Sequence, residues 1–311
     1  MPVDLPSPDH PLRIGTRGSD LALAQARETR SRLMAAHGLP EAAFSIVVIR
    51  TTGDRVLDRP LSELGGKGLF TREIEAALAA GTIDIAVHSM KDMPTLQPDG
   101  LAILACLPRA DVRDAFVTLD GASLAALAPG SVVGTSSLRR AAQLRNCRAD
   151  VVVIEFRGTV QTRLRKLAEG SAAATFLAMA GLERLGLTVP CIPIEPEEML
   201  PAVAQGAIGV EARAGDAAVA RLLTAIHDGP TGVRLAAERS FLAVMDGSCQ
   251  TPIAGLAELD GDRLRLRCEI LRPDGSERLS HAAEGDAADA VALGAEVAMV
   301  LRDRAGPGFF S

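Results

Sequence analysis

The chain has 311 residues, of which 48% are apolar, and its formal net charge is −6. This length and composition predict a globular protein of two or three domains, each able to bury its own core. The acidic balance, with no basic tail and neither Trp nor Tyr, argues against general nucleic-acid binding. The chain also lacks the run of about 18 apolar residues that would predict a membrane span.

The cysteines are Cys106, Cys147, Cys191, Cys249 and Cys268. Their odd number, wide spacing and lack of a C-x-x-C pair argue against a disulfide framework or a structural zinc site. Residues 1–11 contain Pro, Asp and His in place of the charged and apolar parts of a secretion signal. These features predict a cytoplasmic protein without a structural metal. We also expect a monomer with a small-molecule ligand and with no nucleic-acid or membrane partner.

The first regular unit is a strand over Leu12–Gly15, a polar loop, and an amphipathic helix over Asp20–His37 that a glycine ends. The loop sequence G-T-R-G-S returns as G-T-S-S-L at Gly134–Leu138. This second loop again lies between a predicted strand, Ser131–Val133, and a predicted helix, Leu138–Cys147. The recurrence indicates an internal repeat.

A second pair of elements repeats in the same way. A helix over Phe70–Ala80 precedes a strand over Ile83–Val87, and a helix over Thr159–Glu169 precedes a strand over Ala173–Ala178. The sequence therefore predicts two similar α/β lobes.

A cluster of reactive side chains follows the strand Ile83–Val87. His88, Ser89, Lys91 and Asp92 come directly after this apolar run. Ligands of open α/β sheets bind beyond the carboxyl ends of the strands, so the cluster predicts a binding crevice. Two structural alternatives stay open, since Asp-x-Pro is common turn chemistry and a single histidine can be a hydrogen-bonded core residue.

Both G-T loops would present backbone N–H groups at a helix N-terminus, where an anion is favoured. Arginines recur near these loops and at later strand ends, and in an acidic chain they indicate a cleft for carboxylates or phosphates. For each arginine alone, a solvated helix face is the favoured interpretation, and only their recurrence at strand ends favours the cleft. The arginines are Arg139, Arg140, Arg157, Arg163 and Arg184.

The segment Thr51–Gly68 has no strong periodicity, and its length predicts a mobile lid. Its G-G-K-G sequence around Lys67 lacks the spacing of a Walker phosphate loop, so no nucleotide is implied. The segment Met199–Arg213 predicts a return crossover into the first lobe, followed by a helix over Asp216–Ile226.

The pattern changes to a small α+β domain after Pro230. We predict a helix to Met245, strands over Ile253–Leu259 and Arg263–Leu271, and a final helix over Asp286–Asp303. Cys249 lies in the first loop of this domain, within the polar sequence G-S-C-Q-T-P. A cysteine in such a loop can be an accessible, reactive thiol, although most single cysteines are buried and inert.

The chain resembles the porphobilinogen deaminase (hydroxymethylbilane synthase) family in eight stretches that cover nearly its whole length. They are T-R-G-S, G-G-K-G-L-F, D-I-A-V-H-S-M-K-D-M-P, G-T-S-S-L-R-R, F-R-G-T-V, A-G-L-E-R-L-G, A-Q-G-A-I-G-V-E and G-S-C-Q-T-P-I. The resemblance implies two periplasmic-binding-protein-like lobes, residues 11–107 with 204–226 and residues 108–203, and a C-terminal α+β domain, residues 228–311. It also implies a transferase of tetrapyrrole (haem) biosynthesis, which joins four porphobilinogen units with loss of ammonia.

Residue roles follow from the same resemblance. Asp92 is the implied catalytic residue, and Cys249 is the implied attachment point of a covalent dipyrromethane cofactor. Further cofactor contacts are implied for Ser89, Lys91, Ser137, Arg139, Arg140, Arg163 and Arg184, and substrate contacts for Arg17, Ser19, Lys67, Phe70 and Arg157. The cations suit the acetate and propionate groups that each pyrrole unit carries.

The chain departs from the family pattern at Thr159, where asparagine is common, and at Gln161, Ala173 and Ala204. None of these positions removes a charged cleft residue, so we expect only local changes in backbone contacts around Arg157. A second class of function stays open, because a small-anion receptor or regulatory effector domain can have the same two-lobed fold. Such a binder would need neither a reactive Cys249 nor an Asp92 facing the crevice.

Overall fold

The computed structural model describes residues 5–55, 68–245 and 251–310. Within these ranges, no helix is long and apolar enough to cross a membrane. The strands are β1 Leu12–Thr16, β2 Phe44–Val48, β3 Ile85–Ser89, β4 Leu101–Cys106, β5 Asp114–Thr118, β6 Val132–Gly134, β7 Val152–Ile154, β8 Ala174–Ala178, β9 Cys191–Ile194, β10 Ile208–Arg213, β11 Ile253–Asp260, β12 Arg263–Leu271 and β13 Arg278–Asp286. The helices are α1 Asp20–His37, α2 Thr52–Arg55, α3 Arg72–Ala79, α4 Leu138–Cys147, α5 Val160–Ala168, α6 Met179–Arg184, α7 Ala217–Thr224, α8 Gly229–Val244 and α9 Ala290–Ala305.

The described residues divide into two compact units. The first contains the sheet β2-β1-β3-β10-β4, in which β10 runs antiparallel to its neighbours and β1, β2 and β3 are parallel. The second contains Asp111–Gly206 and Val233–Ser311. Its first sheet has the order β7-β6-β8-β5-β9, with β5 as the antiparallel strand. The two sheets therefore share one topology, which confirms the two similar α/β lobes.

The first sheet is covered on both faces. Ile85 and Val87 of β3 pack into a cluster with Leu33 of α1, whereas Ala86 packs into a second cluster with Ile74 and Leu78 of α3. This alternation is the period-2 pattern of a strand between two helical layers. It fixes which side chains of β3 face α1 and which face α3.

Equivalent serines begin the first helix of each lobe. The Ser19 side chain accepts a hydrogen bond from the Ala22 N–H at the start of α1, and Ser137 accepts one from the Arg140 N–H at the start of α4. Such caps satisfy donors that the helix leaves unpaired. Gly38 ends α1 with a φ of 64°, a left-handed conformation that favours glycine. The repeat therefore extends from the sequence to the caps.

The C-terminal sheet is the antiparallel meander β11-β12-β13, and α9 packs on β12 and β13. The sequence did not predict β13, and we expected helix from Asp286, whereas α9 begins at Ala290. Strand β13 alternates exposed and half-buried residues along its whole length. Few of its residues are apolar, so its sequence does not show the alternation that predicts a strand. Among the described strands it pairs with β12 alone, at the edge of the sheet, where polar residues are tolerated.

Two further expectations needed correction. His88 and Ser89 were placed after the strand, but β3 continues through Ser89 because β10 pairs with both residues. The predicted lid begins with the short helix α2, so the expectation of an aperiodic loop was wrong for Thr52–Arg55. Residues 56–67 of that segment lie outside the described residues.

Candidate active site

A cavity in the first unit lies at the carboxyl end of β3. It brings together five of the predicted site residues, although these are far apart in the sequence. The five residues are Arg17, Ser19, Phe70, Ser89 and Asp92, and the cavity is also lined by Gln25, Thr71 and His88. The cavity therefore lies where the crevice was predicted, beyond the carboxyl end of this strand.

Asp92 ends a single turn of 3-10 helix, Met90–Asp92. The Met90 N–H donates to the carbonyl of Ala207 at 3.0 Å, and this bond holds the turn beside the start of β10. Gly209 lies beneath this turn, and a Cβ at this position would be 2.1 Å from the Met90 Sδ. The turn leaves the half-buried Asp92 carboxylate without a hydrogen bond or ion pair to any described residue.

Arg17 already has a carboxylate partner in this structure. Its Nε donates to both Asp54 oxygens at 3.2 Å, and a second, shorter bond joins its Nη2 to Asp54. The guanidinium carbon also lies 4.2 Å from the centroid of the Phe70 ring. Burial would raise the pKa of Asp54, but its hydrogen bonds and charge interaction with Arg17 hold it below its ordinary value. Arg17 is therefore oriented by an anion and an aromatic ring.

Gln25 is a cavity residue that sequence reasoning missed. Its Nε2 donates to the Ser89 Oγ at 2.8 Å, although the two residues come from α1 and β3. Gln25 is 3% exposed. The available signal was an amide side chain on the helix face that also carries Ala22, Ala26 and Leu33. The contact holds the Ser89 hydroxyl at the cavity wall.

His88 is buried and hydrogen-bonded, as the structural alternative in the sequence analysis proposed for it. Its Nε2 lies 2.9 Å from the Glu211 Oε2, and both side chains are buried. Glu75 of α3 is a third buried ionisable residue in this layer, and its charge interacts with those of His88 and Glu211. Burial raises the pKa of Glu75, and the negative charge of Glu211 adds to this rise.

In the second unit, Arg139 and Arg140 form a buried ion-pair cluster. Arg139 Nη1 is 2.7 Å from Asp114 Oδ2, and Arg140 Nη2 is 2.7 Å from Asp114 Oδ1. Arg139 also donates to the Leu200 carbonyl, and Arg140 donates to the Phe176 carbonyl. We expected both groups to be available to ligand carboxylates, but the structure gives them a carboxylate of the chain itself.

The other predicted cations of this unit also have partners within the chain. Arg163 Nε donates to the Gly158 carbonyl at 3.0 Å, and Arg184 Nη2 donates to the Gly206 carbonyl at 2.9 Å. The carbonyl of Arg157 accepts from Lys166 at 3.0 Å. Lys91, in the turn before Asp92, is half-buried and is not part of the cavity lining.

Two of the predicted residues, Lys67 and Cys249, lie outside the described residues. The four described cysteines are free thiols. Burial raises the pKa of three of these thiols, Cys147, Cys191 and Cys268. Those three therefore lack the lowered pKa of a reactive thiolate.

The repeated strand order defines a chain with two similar α/β lobes, and a separate C-terminal domain follows them. Residues 12–221 match the family model described as "Porphobilinogen deaminase, dipyromethane cofactor binding domain". Residues 233–303 match the model of the porphobilinogen deaminase C-terminal domain. The chain belongs to the porphobilinogen deaminase family, as the sequence motifs predicted.

Curated relatives agree with this assignment. A porphobilinogen deaminase of Paracoccus denitrificans is 67% identical over 99% of both chains. One of Nitrobacter hamburgensis is 54% identical over 96% of this chain and 95% of its own. The chain is therefore a transferase with a dipyrromethane cofactor-binding domain, which confirms the predicted enzyme class and cofactor. The receptor alternative is not favoured.

More distant solved structures include the VFT2 domain of Bordetella pertussis BvgS, which is 15% identical over 75% of this chain and 93% of its own, with a TM-score of 0.41. A periplasmic binding protein of Salmonella typhimurium with high arginine specificity is 12% identical over 71% of this chain and 93% of its own, with a TM-score of 0.40.

Proposed function

We propose that this chain joins four porphobilinogen units head to tail on a dipyrromethane primer and releases hydroxymethylbilane. The observation that carries the proposal is the cavity at the end of β3. It combines a carboxylate without a partner among the described residues, Asp92, with an oriented cation, Arg17. A pyrrole with acidic side chains needs both groups, because its N–H donates a hydrogen bond and its carboxylates need cations.

The same donor set fits the dipyrromethane group. When bound, this group supplies the terminal pyrrole on which the chain of units grows. The Asp92 carboxylate can accept hydrogen bonds from pyrrole N–H groups, and the cavity hydroxyls of Ser19 and Ser89 can bond polar side groups. We assign cofactor binding to Ser89, Lys91, Ser137, Arg139, Arg140, Arg163 and Arg184, and substrate binding to Arg17, Ser19, Lys67, Phe70 and Arg157.

Asp92 is the proposed catalytic residue. Loss of ammonia from the substrate leaves an electron-poor azafulvenium cation, which a nearby carboxylate stabilises. Opposite charges about 4 Å apart, at an effective dielectric constant near 20, attract by about 4 kcal/mol. Since about 1.4 kcal/mol corresponds to a factor of ten, this attraction is worth about a thousandfold in rate.

Attachment through Cys249 is part of the proposal. Three described thiols have raised pKa values, which supports a separate cysteine as the attachment point. A covalent anchor keeps each new unit near the cavity, so every addition becomes a local encounter. We also propose that the protein acts as a cytoplasmic monomer without nucleic-acid or membrane partners, with lobes at 11–107 plus 204–226 and 108–203, and a third domain at 228–311.

The test of this function is a pair of substitutions at Asp92. Asp92→Asn keeps the size of the side chain and removes its charge, so we expect kcat to fall by about a thousandfold or more. Asp92→Glu keeps the charge and displaces it by one methylene, so this variant should retain part of the activity. Steady-state rates of porphobilinogen consumption measure both effects.

Asp99→Asn is the matched control, because Asp99 is exposed on the loop that follows. It should leave kcat unchanged. A residue that only shapes the turn before Pro94 would give the opposite ranking, because Asn forms turns well and Glu does so poorly. An Asp92→Asn enzyme with nearly full activity would therefore contradict the catalytic role.

A further inference from the structure

Three buried ionisable side chains lie behind the cavity, on the α3 side of the first sheet. His88 follows the alternation of β3, so its side chain is on the same face as that of Ala86, which packs against α3. Glu211 of β10 is paired with Ala86 in the strand register, and Glu75 belongs to α3. The exposed fractions of Glu75, His88 and Glu211 are 9%, 6% and 0%.

Without bound protons, these three buried side chains would carry a net negative charge. Two buried carboxylates would carry two negative charges in a medium where each unpaired charge is costly. The Oε1 atoms of Glu75 and Glu211 both lack a hydrogen-bond partner among the described residues. Burial raises the pKa of Glu75, which favours its neutral form. Glu211 is the carboxylate that lies within hydrogen-bond distance of His88.

The geometry also selects one nitrogen of the imidazole. Nε2 lies 2.9 Å from Glu211 Oε2, and this is the single side-chain hydrogen bond that the described part of the chain gives His88. When Nε2–H donates to the carboxylate, Nδ1 carries the free lone pair of the neutral ring. His88 lines the same cavity as Asp92. A base is thus held by a buried anion at the edge of the proposed site.

We propose that His88 is the proton acceptor of the condensation step and that Glu211 is its positioning residue; this inference rests on the proposed function. In each cycle the C–N bond of the substrate's aminomethyl group breaks, and its electron pair leaves with ammonia. A C–C bond then forms between two pyrrole units, and the ring carbon that has been joined must lose its proton. His88 takes this proton, and the ammonia carries it away as ammonium.

Proton uptake is favoured because it neutralises the buried group. An imidazolium beside the Glu211 carboxylate forms a buried ion pair, and the orienting carboxylate fixes the tautomer, as in other histidine bases. The other titratable groups around His88 are Glu75 and Arg72 of α3, and Asp92 and Arg17 in the cavity. None of these groups forms a hydrogen bond to His88 within the described structure.

The experiment is the pH profile of kcat for the full-length holoenzyme, with cofactor loading checked by intact mass. The wild type should lose activity on the acid side as His88 becomes protonated. His88→Gln should lower kcat by about a hundredfold or more and remove that acid limb. Glu211→Gln should move the limb to lower pH, because the carboxylate that stabilises the imidazolium is gone.

His37→Gln is the matched control, since the His37 Nε2 bonds to the Leu222 carbonyl and His37 does not line the cavity. It should keep both kcat and the acid limb. Because a buried substitution can impair folding, the wild type gives a second measurement through the ¹⁵N ring signals of its histidines. Gln variants of His10, His37, His227 and His281 assign the other four signals.

The His88 signal should change from neutral to protonated over the same pH interval as the acid limb of kcat. A limb that stays in place in both His88→Gln and Glu211→Gln would overturn the proposal. So would a His88 signal that remains in one form across the limb. A wild-type holoenzyme without turnover at any pH would instead contradict the proposed function itself, which separates the two failures.

Discussion

At the scale of single residues, the buried carboxyl group of Glu75 makes folding stability depend on pH. Its pKa in the folded protein is raised above its ordinary value of 4.5, mainly by burial. The folded chain therefore keeps a proton that the unfolded chain releases. This contribution to stability is complete below pH 4.5 and is lost as the pH rises through the folded pKa.

We expect Glu75→Gln to remove this part of the pH dependence, because a neutral amide of similar shape has no proton to release. Urea unfolding of both proteins in steps from about pH 4 to pH 8 measures the free energy of unfolding. The exposed Glu183 supplies the control, since Glu183→Gln should leave the slope of the wild type unchanged. If Glu75→Gln and wild type gave parallel curves, Glu75 would be ionised in the folded protein.

Sequence alone predicted which residues surround the cavity better than it predicted their partners. Asp92, Ser89 and Arg17 could be identified because they lie at or just after strand ends in recognisable motifs. Asp114 could not, although it pairs with both Arg139 and Arg140, because it begins a strand that the sequence did not predict. Burial alone would raise the pKa of Asp114, yet the two arginines hold it well below its ordinary range.

At the scale of secondary-structure elements, a helix cap accounts for one departure from the family pattern. Thr159 is the N-cap of α5, and its side chain accepts from the Thr162 N–H at 3.3 Å. Asparagine, the residue common at this position in the family pattern, is also a good N-cap. Both residue types therefore begin this helix in the same way.

Thr159→Ala should lower the free energy of unfolding by about 1 kcal/mol, whereas Thr159→Asn should leave it within about 0.5 kcal/mol of wild type. Urea unfolding distinguishes the two outcomes. Thr224→Ala is the control, because Thr224 is exposed and its hydroxyl donates to the Ala220 carbonyl of its own helix. An equal loss in Thr159→Ala and Thr224→Ala would argue against the cap.

Most of the elements that the sequence did not predict are strands; the short helices α2 and α6 are the others. Phe44–Val48, Leu101–Cys106 and Cys191–Ile194 are short apolar runs at or near the edges of their sheets, and β5 begins with an aspartate. Short runs of this kind show no period that separates a strand from a buried helix turn. Helices were predicted to within a few residues because caps and glycines mark their ends, as at Ser19 and Gly38.

At the scale of the whole molecule, the C-terminal sheet and the second lobe belong to one compact unit. Helix α4 forms the contact: Gln143 bonds to Glu269, Arg145 to the Pro273 carbonyl and Asn146 to the Gly275 carbonyl. These residues lie on the helix that also carries Arg139 and Arg140. The proposed cofactor arginines and the contacts to the C-terminal domain, which carries Cys249, are therefore on the same helix.

The turn at Gly275 provides a direct test of this contact between α4 and the C-terminal domain. Gly275 has a φ of 78°, and a Cβ there would lie 2.8 Å from the Ala142 carbonyl oxygen and 2.9 Å from the Asn146 nitrogen. Gly261, in the preceding hairpin turn, has a φ of 54° and open space around its Cβ position. Alanine at either position incurs the left-handed backbone cost of about 1–2 kcal/mol. Only at Gly275 does it also collide with the backbone of α4.

We therefore expect Gly275→Ala to lower the free energy of unfolding by about 1–3 kcal/mol more than Gly261→Ala does. Urea unfolding measures this difference, and amide hydrogen exchange locates it. Protection should fall in α4 and β12 of Gly275→Ala, whereas Gly261→Ala should lose protection only around its own turn. Equal stability of the two variants, with α4 fully protected in both, would mean that the β12–β13 turn does not hold the second lobe and the C-terminal sheet together.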